Sequence, residues 1–169
     1  MALVARGDAV ALETLYRRWE RPLYHFLARH TGGRDLDDLH QETWLRIVRS
    51  SARFDPARRF STWLFQIALN LCRDWLRRPP PEPVDPATLP AESGEHADRD
   101  AALDVRRLLL ALPDEQRAAI VLRYYHDLPE DEVAVILDVP RGTVKSRLHA
   151  GVRRLVALAR EPRGSGDRR

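Results

Sequence analysis

Residues 128–155 read LPEDEVAVILDVPRGTVKSRLHAGVRRL, and two short helices joined by a tight turn account for the pattern. In the first, about Glu130 to Leu137, Val133, Ile136 and Leu137 fall on one face at helical spacing. Asp138-Val139-Pro140 ends it, because the residue before a proline is pushed out of the α region. A second helix starts near Arg141, with Val144, Leu148, Val152 and Leu155 on its inner side. Its other side carries Arg141, Thr143, Lys145, Ser146, His149 and Arg153, and Arg147 adds to a helix with no acidic residue before Arg160. A turn, a buried stripe and a basic outer face together have the form of a helix-turn-helix whose second helix can enter a DNA major groove. The competing explanation is a helical hairpin with a solvated basic face.

Charge is distributed in blocks around that unit. Residues 1–78 carry 14 arginines against 9 acidic residues, residues 79–103 carry one arginine against 6 acids, and residues 104–169 carry 13 basic against 10 acidic residues. Two basic blocks on either side of an acidic tether suggest two modules that bind polyanions. Arginine standing in for lysine throughout, with Lys145 the single lysine, is the bland alternative. The 44% hydrophobic content is ordinary, so a core can be buried. The one cysteine, Cys72, rules out an intrachain disulfide and lies on an apolar stripe as a small core residue. No stretch resembles a signal peptide or approaches a membrane span, so a cytoplasmic protein without membrane insertion is expected.

From the N-terminus, helix one starts after Asp8 as N-cap. It carries Leu12, Leu15, Tyr16, Trp19, Leu23, Phe26 and Leu27 at i, i+3, i+4 spacing and stops at Gly32-Gly33. Helix two spans Leu36 to Ser50, with Leu36, Leu39, Thr43 and Ile47 inward and Asp38, Gln41, Glu42 and Leu45 outward. A leucine among acids and an amide on an exposed face suggests a partner surface, although single exposed leucines are common. Residues 51–60 form a loop whose Asp-Pro pair and three arginines, Arg53, Arg58 and Arg59, suit a turn near phosphates. Ser61 is the expected cap of helix three, which runs to about Arg78 with Leu64, Ile67, Ala68, Leu71 and Trp75 inward. Gln66, Asn70, Arg73 and Arg77 make an outer polar strip beside Trp63. Amide, guanidinium and aromatic groups together suit unpaired bases, though Phe60 or Trp63 taken alone reads better as core.

Residues 79–95 hold six of the twelve prolines and read as an extended acidic linker. Helix four follows from Asp98 to Leu112, burying Ala101, Val105, Leu108, Leu109 and Leu112. Pro113 opens a further helix that buries Ala118, Val121, Leu122 and Tyr125. The tail from 161 is expected to be disordered. The fold class is therefore all-α, with two small helical domains.

Five stretches in this order resemble bacterial sigma factors of the extracytoplasmic function type: ALETLYRRWERPLYHFL, DLHQETWLRI, RFDPARRFSTWLFQIALNLCRDWLRR, LPDEQRAAIVLRYYHDL and GTVKSRLH. The resemblance implies a sigma-2-like three-to-four-helix bundle at 1–78, a flexible linker at 79–97, a sigma-4-like helix-turn-helix domain at 98–160 and a tail at 161–169. It implies a sigma factor that binds core RNA polymerase and directs promoter-specific initiation, under the control of an anti-sigma factor. Asp38, Gln41, Glu42 and Leu45 would dock on the clamp helices of the β′ subunit, and the second domain on the β flap. Arg53, Arg59, Phe60, Trp63, Gln66, Asn70, Arg73 and Arg77 would read and open the minus-ten element. Arg141, Thr143, Lys145, Ser146, Arg147, His149 and Arg153 would meet the minus-thirty-five element. Asp138 stands where the family's turn usually has glycine, and Ala150 where relatives often carry arginine. The two bodies are expected to need a large partner that spaces them apart before they read a promoter together.

Two other classes compete. A stand-alone helix-turn-helix regulator would normally bring a receiver or ligand-binding domain, and the first half lacks βα alternation. An enzyme would need a site. The six histidines are scattered, no phosphate loop or serine elbow occurs, and Asp37 and Asp38 suit a helix start better than an acid–base pair. No catalytic residue, metal or cofactor is expected.

Overall fold

A computed structural model describes residues 1–77 and 105–160. The expected linker at 79–97, the start of helix four and the tail from 161 lie outside these residues. The described part is helical throughout, in two bundles. The first contains α1 (Ala2–Ala5), α2 (Ala9–Thr31), α3 (Leu36–Ser50), a 3-10 turn over Ser51–Arg53, and α4 (Phe60–Leu76). The second contains α5 (105–110), α6 (Asp114–Ile120, widening into a π-turn over Val121–Tyr125), α7 (Glu130–Leu137) and α8 (Arg141–Arg160).

Local chemistry sets the ends of these helices. Asp8 caps α2 by accepting from the Ala11 N–H at 2.9 Å. Gly32, at φ 74°, closes α2 by donating its N–H to Ala28 O at 3.1 Å. Asp35 leads into α3 with a left-handed backbone, and its carboxylate accepts from Trp75 Nε1 at 2.8 Å, which ties the start of α3 to the end of α4. Asp138 takes the left-handed conformation at φ 54° between α7 and α8, a geometry aspartate tolerates better than most non-glycine residues.

The inner face expected for α3 is buried as a set, with Leu36, Leu39, Thr43 and Ile47 joined by Trp44. Thr43 satisfies its hydroxyl by donating to Leu39 O at 2.7 Å. Several expectations are corrected. Helix α4 begins two residues earlier than a Ser61 cap requires, at Phe60, with Arg59 in the cap position and no side-chain cap bond. Val105, Tyr125 and Val152 are exposed rather than buried. On α8 the buried position is Gly151 instead of Val152. A Cβ at Gly151 would lie 2.6 Å from Ile120 Cδ1, so the glycine that weakens the helix also lets α8 settle on α6.

The larger correction concerns the two halves. Helix α4 packs against α2 and α3 on one side and against α7 on the other. Leu64, Ala68 and Leu71 are buried as expected, but so are Thr62, Phe65, Leu69 and Cys72, a second stripe on the same helix. One apolar cluster runs from Leu23 in α2 to Leu148 in α8. The two domains therefore stand docked on each other. Burial pushes the Cys72 thiol up to about 12, as befits an inert core residue.

Candidate nucleic-acid interface

Two surfaces carry the residues that the sequence singles out for DNA. On the first domain, Phe54, Phe60 and Trp63 form an aromatic group, with ring centroids 5.1 Å apart for Phe54–Trp63 and 6.1 Å for Phe60–Trp63. Trp19 joins through Phe60 at 5.8 Å. Phe60 and Trp63 are half-buried, so each rests on the core and still shows an edge or face to solvent. Phe54 belongs to the same group, and its place in a loop gives it no periodicity that would mark it in the sequence. Arg53, Asn70 and Arg77 are exposed, whereas Gln66 and Arg73 are half-buried. Arg77 is paired with Asp74 on its own helix.

The second surface is the outer side of α8. Lys145, Ser146, His149 and Arg153 are exposed, and Thr143 is half-buried in the first turn. Arg141 is held by Glu130 at 3.0 Å and Asp131 at 3.3 Å, both on α7. Arg147 turns toward α6, where it meets Glu115 at 2.7 Å and keeps only 17% of its side-chain exposure. It therefore sits apart from the open cationic face that Lys145 and Arg153 share.

On α3, Asp38, Gln41 and Leu45 are exposed and Glu42 is paired with Arg46 at 2.8 Å. Leu45 retains 40% exposure and Val48, one turn further on, 39%. Val48 was missed, although its i+3 position relative to Leu45 extends the same apolar spot.

Between the domains lies a polar knot centred on Asp114, at the start of α6. His30 Nε2 stands 2.8 Å from Asp114 Oδ1, Arg117 Nη2 stands 3.1 Å from the same oxygen, and Arg73 Nε stands 3.4 Å from Oδ2. Burial depresses His30, which favours the neutral ring, while the nearby Asp114 carboxylate pulls the other way. Burial alone would raise the Asp114 carboxyl, but the close approach of His30 and the Arg117 guanidinium hold it well below the usual carboxylate range. The sequence gives no periodic sign of this knot, because His30, Arg73, Asp114 and Arg117 come from three helices. Beside it, His126 packs 4.5 Å from Phe65 and 5.8 Å from Phe26. Burial there, with Arg29 and His25 adding positive charge, pushes the imidazole down to about 4. Arg29 also lies over the Tyr125 ring at 4.3 Å.

The region 2 family of sigma-70 matches residues 15–79, and the sigma-70 region 4 family matches residues 102–155. The chain is 32% identical over 165 residues to the ECF RNA polymerase sigma factor SigW of Bacillus subtilis strain 168, covering 88% of each chain. It is 31% identical to the ECF RNA polymerase sigma-E factor of Escherichia coli K12, covering 86% of this chain and 84% of the relative. Among solved structures, CnrH in complex with the cytosolic domain of CnrY superposes with a TM-score of 0.73 at 28% identity, over 94% of this chain and 93% of CnrH. The sigma factor RpoE of Bartonella quintana, solved with the anti-sigma factor NepR, shares the fold with a TM-score of 0.74 at 23% identity, over 89% of this chain and 98% of that one.

The chain belongs to the family of ECF RNA polymerase sigma factors. It is an alternative sigma factor for promoter-specific transcription initiation, which sets aside the stand-alone regulator. Among the described residues no helix is long and apolar enough to cross a membrane.

Proposed function

We propose that this chain works in the cytoplasm without covalent chemistry, by binding core polymerase through α3 and presenting two DNA-reading surfaces. Asp38, Gln41, Glu42 and Leu45 dock on the β′ clamp helices, and the second domain meets the β flap. Arg53, Arg59, Phe60, Trp63, Gln66, Asn70, Arg73 and Arg77 receive the opened minus-ten strand. Stacking on the aromatic group contributes about 1–3 kcal/mol per base and offsets the cost of unstacking. Arg141, Thr143, Lys145, Ser146, Arg147, His149 and Arg153 face the minus-thirty-five duplex, where phosphate contacts fix position and a few base edges specify. The pairing of Arg147 with Glu115 gives it the weakest claim in this set.

The observation that carries the proposal is the joint presence of an aromatic group at the start of α4, exposed Asn70 and Arg77 further along the same helix, and an exposed cationic face on α8. Control by an anti-sigma factor is proposed because CnrH was solved with the cytosolic domain of CnrY and RpoE with NepR. Sequencing the transcripts that appear on overexpression tests the reading: new start sites should share two upstream elements at fixed spacing. No new start sites, together with no binding to purified core enzyme, would sink it.

The docking surface has a separate test. Asp38→Arg with Glu42→Arg should weaken binding to core polymerase about tenfold or more, some 1.4 kcal/mol per decade, and leave the thermal melt unchanged. Unaltered core affinity would remove α3 from the interface.

A further inference from the structure

Arg141 opens α8 between two carboxylates of α7. Its Nε donates to Glu130 Oε2 at 3.0 Å, and its Nη1 stands 3.3 Å from Asp131 Oδ1. The third nitrogen, Nη2, enters neither pair. Contacts on two nitrogens from two carboxylates fix both the position and the plane of a guanidinium, where one contact would let it swivel. The hold does not cover the group, since the Arg141 side chain keeps 56% exposure. Exposed ion pairs of this kind add little stability, so what the fork supplies is orientation. Among the described residues, Lys145 and Arg153 are exposed and pair with no carboxylate. Arg147 is held by Glu115 but is largely covered. Of these four cations, only Arg141 is both anchored and open.

Charge decides what such a group can meet. One cation between two anions leaves the cluster net negative, which repels a phosphate and tolerates a neutral base edge. Arg141 also stands at the N-terminal end of α8, the end that a recognition helix presents to base edges. We propose that Glu130 and Asp131 are positioning residues that aim Arg141 at the O6 and N7 acceptors of a guanine in the major groove, so that Arg141 is a discriminating contact of α8 while Lys145 and Arg153 grip phosphates. This rests on the duplex-reading role given to α8 under the proposed function. An arginine offers paired N–H groups to those two acceptors, which no other base presents together. A held arginine gives up less side-chain freedom on binding than a loose one, so the right base gains affinity. At a wrong base the guanidinium is kept from turning aside to a phosphate, so the mismatch is felt in full.

Binding selection tests the fork, with holoenzyme assembled from the full-length chain and purified core polymerase and a pool of randomised duplexes as probe. The parent should enrich an upstream element in which guanine is favoured over the other bases about tenfold or more at one position. Arg141→Lys keeps the charge but cannot present a planar fork to both carboxylates. It should bring that preference below about twofold and leave the other positions as they were. Glu130→Ala with Asp131→Ala should do the same with Arg141 untouched. A clasp that merely held α7 to α8 would blur every position instead.

Lys145→Ala is the contrast. It should weaken binding across the pool and leave the guanine preference at that position in place. Full preference in Arg141→Lys or in the double alanine variant would overturn the proposal, as would its equal loss in Lys145→Ala. The two ideas fail differently. A parent that enriches no upstream element would refute the duplex-reading role of α8 and the fork with it. An upstream element that survives unchanged in every Arg141, Glu130 and Asp131 variant would refute the fork alone.

Discussion

Asp114→Ala is expected to lower the stability of the chain by about 3 kcal/mol, a larger loss than any single surface substitution here. The carboxylate is the shared anion of three groups. Arg117 is buried, its side chain 8% exposed, and beyond Asp114 it reaches Leu110 O at 3.3 Å. His30 is fully buried and stacks on Phe26 at 5.5 Å. Removing the anion leaves a guanidinium without its counter-charge and a buried imidazole without its nearest polar neighbour in low dielectric. Asp114 itself keeps 31% exposure, so water can reach the gap and the loss falls at the lower end of the range for buried pairs. Asp114→Asn keeps one acceptor and should lose roughly half as much. Urea unfolding of the three proteins measures this directly. Equal midpoints for parent and Asp114→Ala would mean that the knot contributes nothing net. The same carboxyl sets an acid limb. Its folded value is depressed, so its stabilisation is present above its unfolded value and is lost only as pH falls below about 4.

How much of this was legible in the sequence differs from helix to helix. Helices α3, α7 and α8 were read at their observed bounds because each has one clear apolar stripe between strong stop signals: Asp35 and Ser51, Pro129 and Asp138, and Pro140. The Asp8 cap and the Gly32 stop were legible for the same reason. Helix α1 was not, because four residues with one buried side chain, Val4, offer no period to detect. The docking of the halves is not legible from a periodicity that assigns each helix one inner face. On α4 the residues 64, 68 and 71 make one stripe and 62, 65, 69 and 72 another. Two stripes on one helix call for two packing partners, and Phe65 and Leu69 were in plain view. Among the candidate site residues, exposure followed the expected faces for Asp38, Gln41, Leu45, Asn70, Arg77, Lys145 and His149. What no spacing rule could give is which cation meets which anion across the joint. Arg59 with Glu132 and Arg73 with Asp114 are separated by 73 and 41 residues.

Acidification between pH 7 and pH 5 should loosen the docked state about 20-fold through His126 alone. The imidazole titrates at about 4 in the folded chain and near 6.5 when released. In that window the released form holds a proton that the docked form refuses, and proton uptake drives the equilibrium toward release. Stability therefore falls as pH drops from about 6.5 to about 4 and levels off below the folded value, a total of about 3 kcal/mol. The groups facing the ring fix the sign. Phe26 and Phe65 offer no acceptor, and Arg29 and His25 on α2 add positive charge, so nothing at the site welcomes an imidazolium. His30 is depressed as well and works in the same direction from the other side of Phe26. His40 is also depressed, but its ring neighbours are Tyr16, Tyr24 and Trp44 inside the first domain, so it affects unfolding and not the joint. His126→Phe keeps an aromatic ring among Phe26 and Phe65 and removes the proton site. It should remove His126's share of the pH dependence of the unfolding midpoint between 7 and 5, leaving the slope that His30 and His40 contribute in the same direction. If the variant and the parent lose stability at the same rate over that range, the uncharged imidazole between the two domains is not what makes the joint sensitive to acid.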